Sequence, residues 1–81
     1  MKYEIFYNDL AQRQLKKLPK FIAEKIVKKI ELLSSDLYGD VKKLSDYSPE
    51  YRLRVGDHRI LFDLVGNKIV IQAVRNRQEG Y

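Results

Sequence analysis

The C-terminal third of the chain alternates. "YRLRV" (51–55), "HRILFDLV" (58–65) and "KIVIQAV" (68–74) carry apolar residues at every second position, and Gly56-Asp57 and Gly66-Asn67 separate them. Period two sends successive side chains to opposite faces of a strand. Two-residue loops led by glycine suit the type II′ turns of tight hairpins. The segment is therefore constrained to a three-stranded antiparallel meander with one apolar face.

The loop at Gly56-Asp57 sets the pairing of the first hairpin: Val55 opposite His58, Arg54 opposite Arg59, Leu53 opposite Ile60, Arg52 opposite Leu61, Tyr51 opposite Phe62. Tyr51, Leu53, Val55, His58, Ile60 and Phe62 share the expected core face. Arg52, Arg54, Arg59 and Leu61 share the other. An uninterrupted ladder through Gly66-Asn67 pairs Val65 with Lys68, Asp63 with Val70, Leu61 with Gln72 and Arg59 with Val74. It adds Val70, Gln72 and Val74 to the arginine face. A slip of one residue inverts every assignment.

The first half follows helical spacing. "KYEIFY" (2–7) reads as a short strand, and Asn8 or Asp9 caps a helix "LAQRQLKKL" that ends before Pro19. In "KFIAEKIVKKIELLSSD" (20–36), Ile22, Ile26, Ile30 and Leu33 form one apolar stripe, with Lys25, Lys28, Lys29 and Glu31 toward water. "LYGDVKKL" (37–44) is a loop leading into a short strand. The expected architecture is one α+β domain over residues 1–81, a two-helix hairpin on one face of an antiparallel sheet.

Composition excludes several classes. The chain of 81 residues has no cysteine and one histidine, so disulfides, thiolate nucleophiles and Cys/His metal clusters are ruled out. No apolar run approaches the roughly 20 residues of a membrane helix. The start, "MKYEIFYNDL", lacks the apolar stretch of a secretory signal. A cytoplasmic protein without cofactor, metal or membrane partner is the expectation.

The net charge is +5, and its distribution is uneven. Nine of ten lysines fall in residues 1–50, and five of six arginines in residues 51–81. Lysine suits solvated faces; the arginine fork grips phosphate bidentately. Like charges opposed across a sheet cost a few tenths to about 1 kcal/mol per pair. Arg54 against Arg59 therefore points to an anion between them. The alternative is that the arginines splay into solvent or pair with Asp63 and Glu79.

The hairpin "YRLRVGDHRILFDL", with the "KKL" segment before it and "RNRQEGY" after the last strand, resembles the RelE/ParE toxin superfamily of type II toxin–antitoxin modules. The resemblance spans nearly the whole chain. Its RelE branch implies a ribosome-dependent, metal-independent mRNA endoribonuclease that cuts codons in the A site by attack of the ribose 2′-hydroxyl on the adjacent phosphate. It also implies a cognate antitoxin as partner. Carried over residue by residue, it gives Arg52, Arg54, Arg59, Arg77 and Tyr81 as catalytic, with Tyr81 stacking on the substrate nucleotide. Lys42, Lys43, Gln72 and Arg75 are the expected RNA contacts. Arginine stands at 52 and 54 where the family often has lysine, and arginine is a poor general base. His58 has core parity, which favours a structural role over that of a base. Apolar surface near Leu10, Leu18 and Phe21 is a conceivable antitoxin contact. Two alternatives stay open: a ParE-like inhibitor of DNA gyrase, and a non-enzymatic nucleic-acid-binding domain.

Overall fold

The computed structural model describes residues 2–76. Strand β1 (Glu4–Tyr7) leads to helices α1 (Asp9–Lys16) and α2 (Lys20–Asp36), followed by β2 (Asp40–Lys43), β3 (Tyr51–Val55), β4 (His58–Val65) and β5 (Lys68–Asn76). The strands form one five-stranded sheet in the order β1-β5-β4-β3-β2. All neighbours are antiparallel except β1 and β5, which run parallel through the crossover made by the helices and the meander. This is the expected α+β layer, with α1 and α2 packed on one face. No helix among the described residues is long and apolar enough to cross a membrane.

Local chemistry sets the element ends. Asn8 caps α1: its side chain accepts from the Ala11 N–H at 2.8 Å, satisfying one of the donors a helix start leaves unpaired. Pro19 separates the helices, and its carbonyl accepts the Ile22 and Ala23 N–H groups. At the α2 terminus Leu37 takes a left-handed conformation (φ 56°), and its N–H bonds to the Leu33 carbonyl. Gly39 follows with φ 129°. A β-carbon there would lie 2.8 Å from Leu53 Cδ1, so glycine answers both the backbone angle and the close approach. In the hairpins Gly56 and Gly66 have positive φ while Asp57 and Asn67 do not, as type II′ requires.

The core gathers Ala11, Ile26, Ile30 and Leu33 from the helices against Leu53, Val55, Ile60, Phe62, Ile69, Ile71 and Val74 from the sheet. Tyr51 stacks on Phe62 with ring centroids 5.4 Å apart. The β3–β4 pairing matches the register read from the turn at every position.

The β4–β5 pairing does not. It follows the uninterrupted ladder from Val65–Lys68 to Phe62–Ile71 and then shifts: Leu61 pairs with Ala73, Ile60 with Val74, Arg59 with Arg75 and His58 with Asn76. Gln72 is the extra residue of a β-bulge. The expectation that Leu61 faces Gln72 and Arg59 faces Val74 is corrected, as is the placement of Val74 on the arginine face. Val74 is 4% exposed in the core. Burying an aliphatic side chain of this kind contributes roughly 1.5–3 kcal/mol. Setting Arg75 opposite Arg59 costs up to about 1 kcal/mol, so burial wins. The side chain of Gln14 holds the shifted strand, accepting the Val74 N–H at 2.6 Å.

Gly39→Ala should lower the unfolding free energy by about 1–3 kcal/mol, because a side chain at this φ is strained and Leu53, 1% exposed, has no room to yield. The denaturant midpoint measures it; an unchanged midpoint contradicts the packing described.

Candidate nucleic-acid interface

The sheet face away from the helices carries four of the chain's six arginines, Arg52, Arg54, Arg59 and Arg75. The registers align Arg54 on β3, Arg59 on β4 and Arg75 on β5 in one row, with Asp40 of β2 beyond Arg54. Arg54 is exposed, and Arg59 and Arg75 are partly so. A cleft of about 220 Å³ at the hairpin end of the row is lined by Arg54, Gly56, Asp57 and Arg59. Opposed residues on adjacent strands lie about 4.5–5.5 Å apart at Cα. Like charges directly opposed on such strands cost a few tenths to about 1 kcal/mol per pair. An anion held between the guanidiniums turns that repulsion into attraction, and the planar fork suits a phosphate.

Arg52 shares the parity of this face but has a different environment. It is 7% exposed, and its Nη1 lies 3.6 Å from Asp40 Oδ1 and 3.5 Å from the Asp40 carbonyl. It ties β3 to β2, whereas Arg54 reaches solvent. Lys42 pairs with Arg52 and shares the arginine face, exposed. Lys43 pairs with Tyr51 and has the opposite parity. Its ammonium lies 3.1 Å from Asp46 Oδ1. That hydrogen bond, with the Asp46 charge behind it, raises the Lys43 pKa above the ordinary lysine value.

A second polar line crosses the same face beside the row. Asn8 Nδ2 donates to Gln72 Oε1 at 2.8 Å, and Gln72 Nε2 donates to Asp63 Oδ2 at 3.0 Å. Asp63 also accepts from the Ser48 hydroxyl and, at 2.7 Å, from the Glu50 N–H. Gln72 thus lies on the face expected for it, with its amide engaged within the protein. Among the described residues, Asp63 bonds to these donors rather than to an arginine. His58 is 8% exposed on the helix side, and its Nε2 has no hydrogen-bond partner among the described residues. Its position beneath the sheet separates it from the arginine row. Arg77 and Tyr81 lie outside the described residues.

Of the expected site residues, the structure brings Arg54, Arg59 and Arg75 into one row, with Arg52 and Lys42 alongside. The alignment of Arg75 with Arg59 needs the bulge. A signal for it was present: alternation from Ile69 and Ile71 carries Arg75 to the core side and Val74 outward. That exchange of character at 74 and 75 marks a break in the period.

The fold is that of the toxins of type II toxin–antitoxin systems. A family model described as the ParE toxin of the type II toxin–antitoxin system parDE matches residues 5–81, and the chain belongs to that family, within the RelE/ParE superfamily. Toxin RelE3 of Methanocaldococcus jannaschii is 34% identical over 74 residues, covering 85% of this chain and 84% of the relative. The toxin of the RelB–RelE antitoxin–toxin complex from Methanococcus jannaschii superposes with a TM-score of 0.76 at 29% identity, over 91% of this chain and 92% of that one. A chain of the RelBE2 toxin–antitoxin complex from Mycobacterium tuberculosis gives a TM-score of 0.81 at 26% identity, over 95% and 100%.

The two arginines of β3 should separate in their effect on stability. Arg52→Ala strands Asp40 and empties a buried site, and should cost about 1–2 kcal/mol. Arg54→Ala should change stability by less than about 0.5 kcal/mol, as surface substitutions do. Urea unfolding of both variants checks the contrast; equal losses contradict the assignment.

Proposed function

We propose that this toxin is an mRNA endoribonuclease acting in the cytoplasm on ribosome-bound message, without a metal. The observation that carries the reading is the row Arg54–Arg59–Arg75 on the sheet face away from the helices, with a cleft at its hairpin end. The ribose 2′-oxygen attacks the adjacent phosphorus as its proton is lost. The bond to the 5′-oxygen breaks and that oxygen gains a proton, leaving a 2′,3′-cyclic phosphate and a 5′-hydroxyl. Negative charge concentrates on the phosphoryl oxygens at the pentavalent stage. Guanidiniums already fixed around it stabilise that stage more than the ground state, which is the condition for acceleration. The row supplies charge and no base, since arginine stays protonated.

Arg77 and Tyr81 belong to the same reading through the family resemblance: Arg77 as a further phosphate contact, Tyr81 as a stacking surface worth about 1–3 kcal/mol per base. Arg52 holds β3 against β2 and supports Arg54. Lys42, exposed on the same face, lines the approach for the RNA backbone, whereas Lys43 is engaged by Asp46 and Gln72 by Asn8 and Asp63. A toxin of this kind requires an inhibitor, and the RelB–RelE complexes among the similar structures support a cognate antitoxin as partner. A ParE-like action on DNA gyrase is the second reading, favoured by the description of the matching family. The named relative, Toxin RelE3, and the arginine row favour the first.

Purified protein added to ribosomes programmed with a defined mRNA should cut within the A-site codon. Arg59→Ala and Arg75→Ala should each slow cutting by about 100- to 1,000-fold, the loss typical of one transition-state donor, and should remain folded. Intact message together with gyrase-dependent DNA breaks would establish the second reading. Cutting that survives both substitutions would remove the arginine row from the mechanism.

A further inference from the structure

A buried carboxylate on a face built from arginines needs a reason. Asp63 is 6% exposed, yet among the described residues its bonds go to Ser48, Glu50 and Gln72, not to a guanidinium. Gln72, its partner on β5, is the extra residue of the bulge. The amide of Gln72 is held at both ends by groups that are themselves fixed. Asn8 on one side is committed to capping α1 through the Ala11 N–H. Asp63 on the other is clamped to the segment between β2 and β3 by Ser48 and Glu50.

The bulge has one consequence on this face. In an unbulged ladder continuing the Val65–Lys68 register, Gln72 falls opposite Leu61 and Arg75 opposite His58, on the helix side. With the bulge, Arg75 stands opposite Arg59. We propose that Gln72 and Asp63 are positioning residues: the partly buried line Asn8–Gln72–Asp63 holds the bulge, and the bulge completes the arginine row. This rests on the reading of the row as the phosphate site. Groups that fix a site's geometry from behind are as necessary as the groups that touch the substrate. The carboxylate is tolerated among cations because three donors within the fold satisfy it. Asp63 is in this view an anchor and not a base.

Gln72→Ala is the direct test. Gln72 is no part of the apolar core cluster, so the variant is expected to fold; without the bulge Val74 gives up its bond to Gln14 and Arg75 turns to the helix side. Two readouts are taken: the cross-strand amide–amide nuclear Overhauser contact between Arg59 and Arg75, which face each other as a hydrogen-bonded pair, and the cutting rate on programmed ribosomes. The contact should be lost or strongly weakened, and cutting should fall roughly 10- to 100-fold, as when the outer partners of a site's ligands are removed. A double exchange, Asp63→Asn with Gln72→Glu, rebuilds the bond with its polarity reversed: the new amide on β4 would donate to the new carboxylate on β5, which still accepts from Asn8. It should recover both readouts, whereas Asp63→Asn alone, setting donor against donor, should not. The proposal is overturned if Gln72→Ala leaves the contact in place, or if the double exchange folds without restoring either readout. Slower cutting with the contact intact overturns it too, because Gln72 then acts on the RNA itself. A wild-type protein that cuts no RNA refutes the reading of the row alone; the Overhauser contact still decides whether this network holds the bulge.

Discussion

The burial of Val74 beneath the helices is the contact on which the arginine face depends. Val74 lies in the core with Ile60 and Phe62, and Gln14 of α1 holds its backbone N–H. To reach that position from the turn at Gly66-Asn67, β5 must carry one residue more than β4 over the same length. Gln72 is that residue. Because side chains alternate with period two, the extra residue exchanges the faces of everything after it. Val74 moves inward and Arg75 moves outward to meet Arg59. One packing preference on the helix side therefore builds a row of charge on the other side.

That row is unfavourable by itself. Aliphatic burial outweighs it, at roughly 25 cal/mol per Å² of apolar surface removed from water against up to about 1 kcal/mol for each opposed like-charge pair. A helix-covered face with a packed core can bear an opposite face that is electrostatically strained. This is the arrangement expected where a site is prepared for a ligand of opposite charge: preorganised donors need no rearrangement as charge develops on the substrate. Asp40 pairs with Arg52, Asp46 with Lys43, and Asp63 with uncharged donors.

Membership of the family and the choice of target are separate matters. The chain matches the ParE family by sequence and shares its fold with chains of RelE toxin–antitoxin complexes, and one fold supports more than one function. Function must be argued from the site. An open sheet face bearing an aligned row of guanidiniums suits a phosphodiester. A surface for protein contact needs no such alignment.

Much of this was legible along the chain. Alternation and glycine-led turns defined the meander, the four-four-three spacing of Ile22, Ile26, Ile30 and Leu33 defined α2, and the β3–β4 register followed from turn length alone. These are local properties, set by backbone geometry and nearest-neighbour periodicity. They also separated Arg54 and Arg59 from the apolar face. Features that depend on distant partners were not legible in this way. The parallel docking of β1 on β5 joins segments more than 60 residues apart. Arg52 and Arg54 look equivalent in "YRLRV", yet only the approach of Asp40 from β2 distinguishes the buried one from the exposed one. The register beyond Phe62 was settled by competition between an uninterrupted ladder and the burial of Val74. Residue order alone set which side-chain types lie on alternating faces. Packing in three dimensions set where that alternation breaks, because only the docked helices give Val74 an apolar site worth one unpaired residue in the sheet.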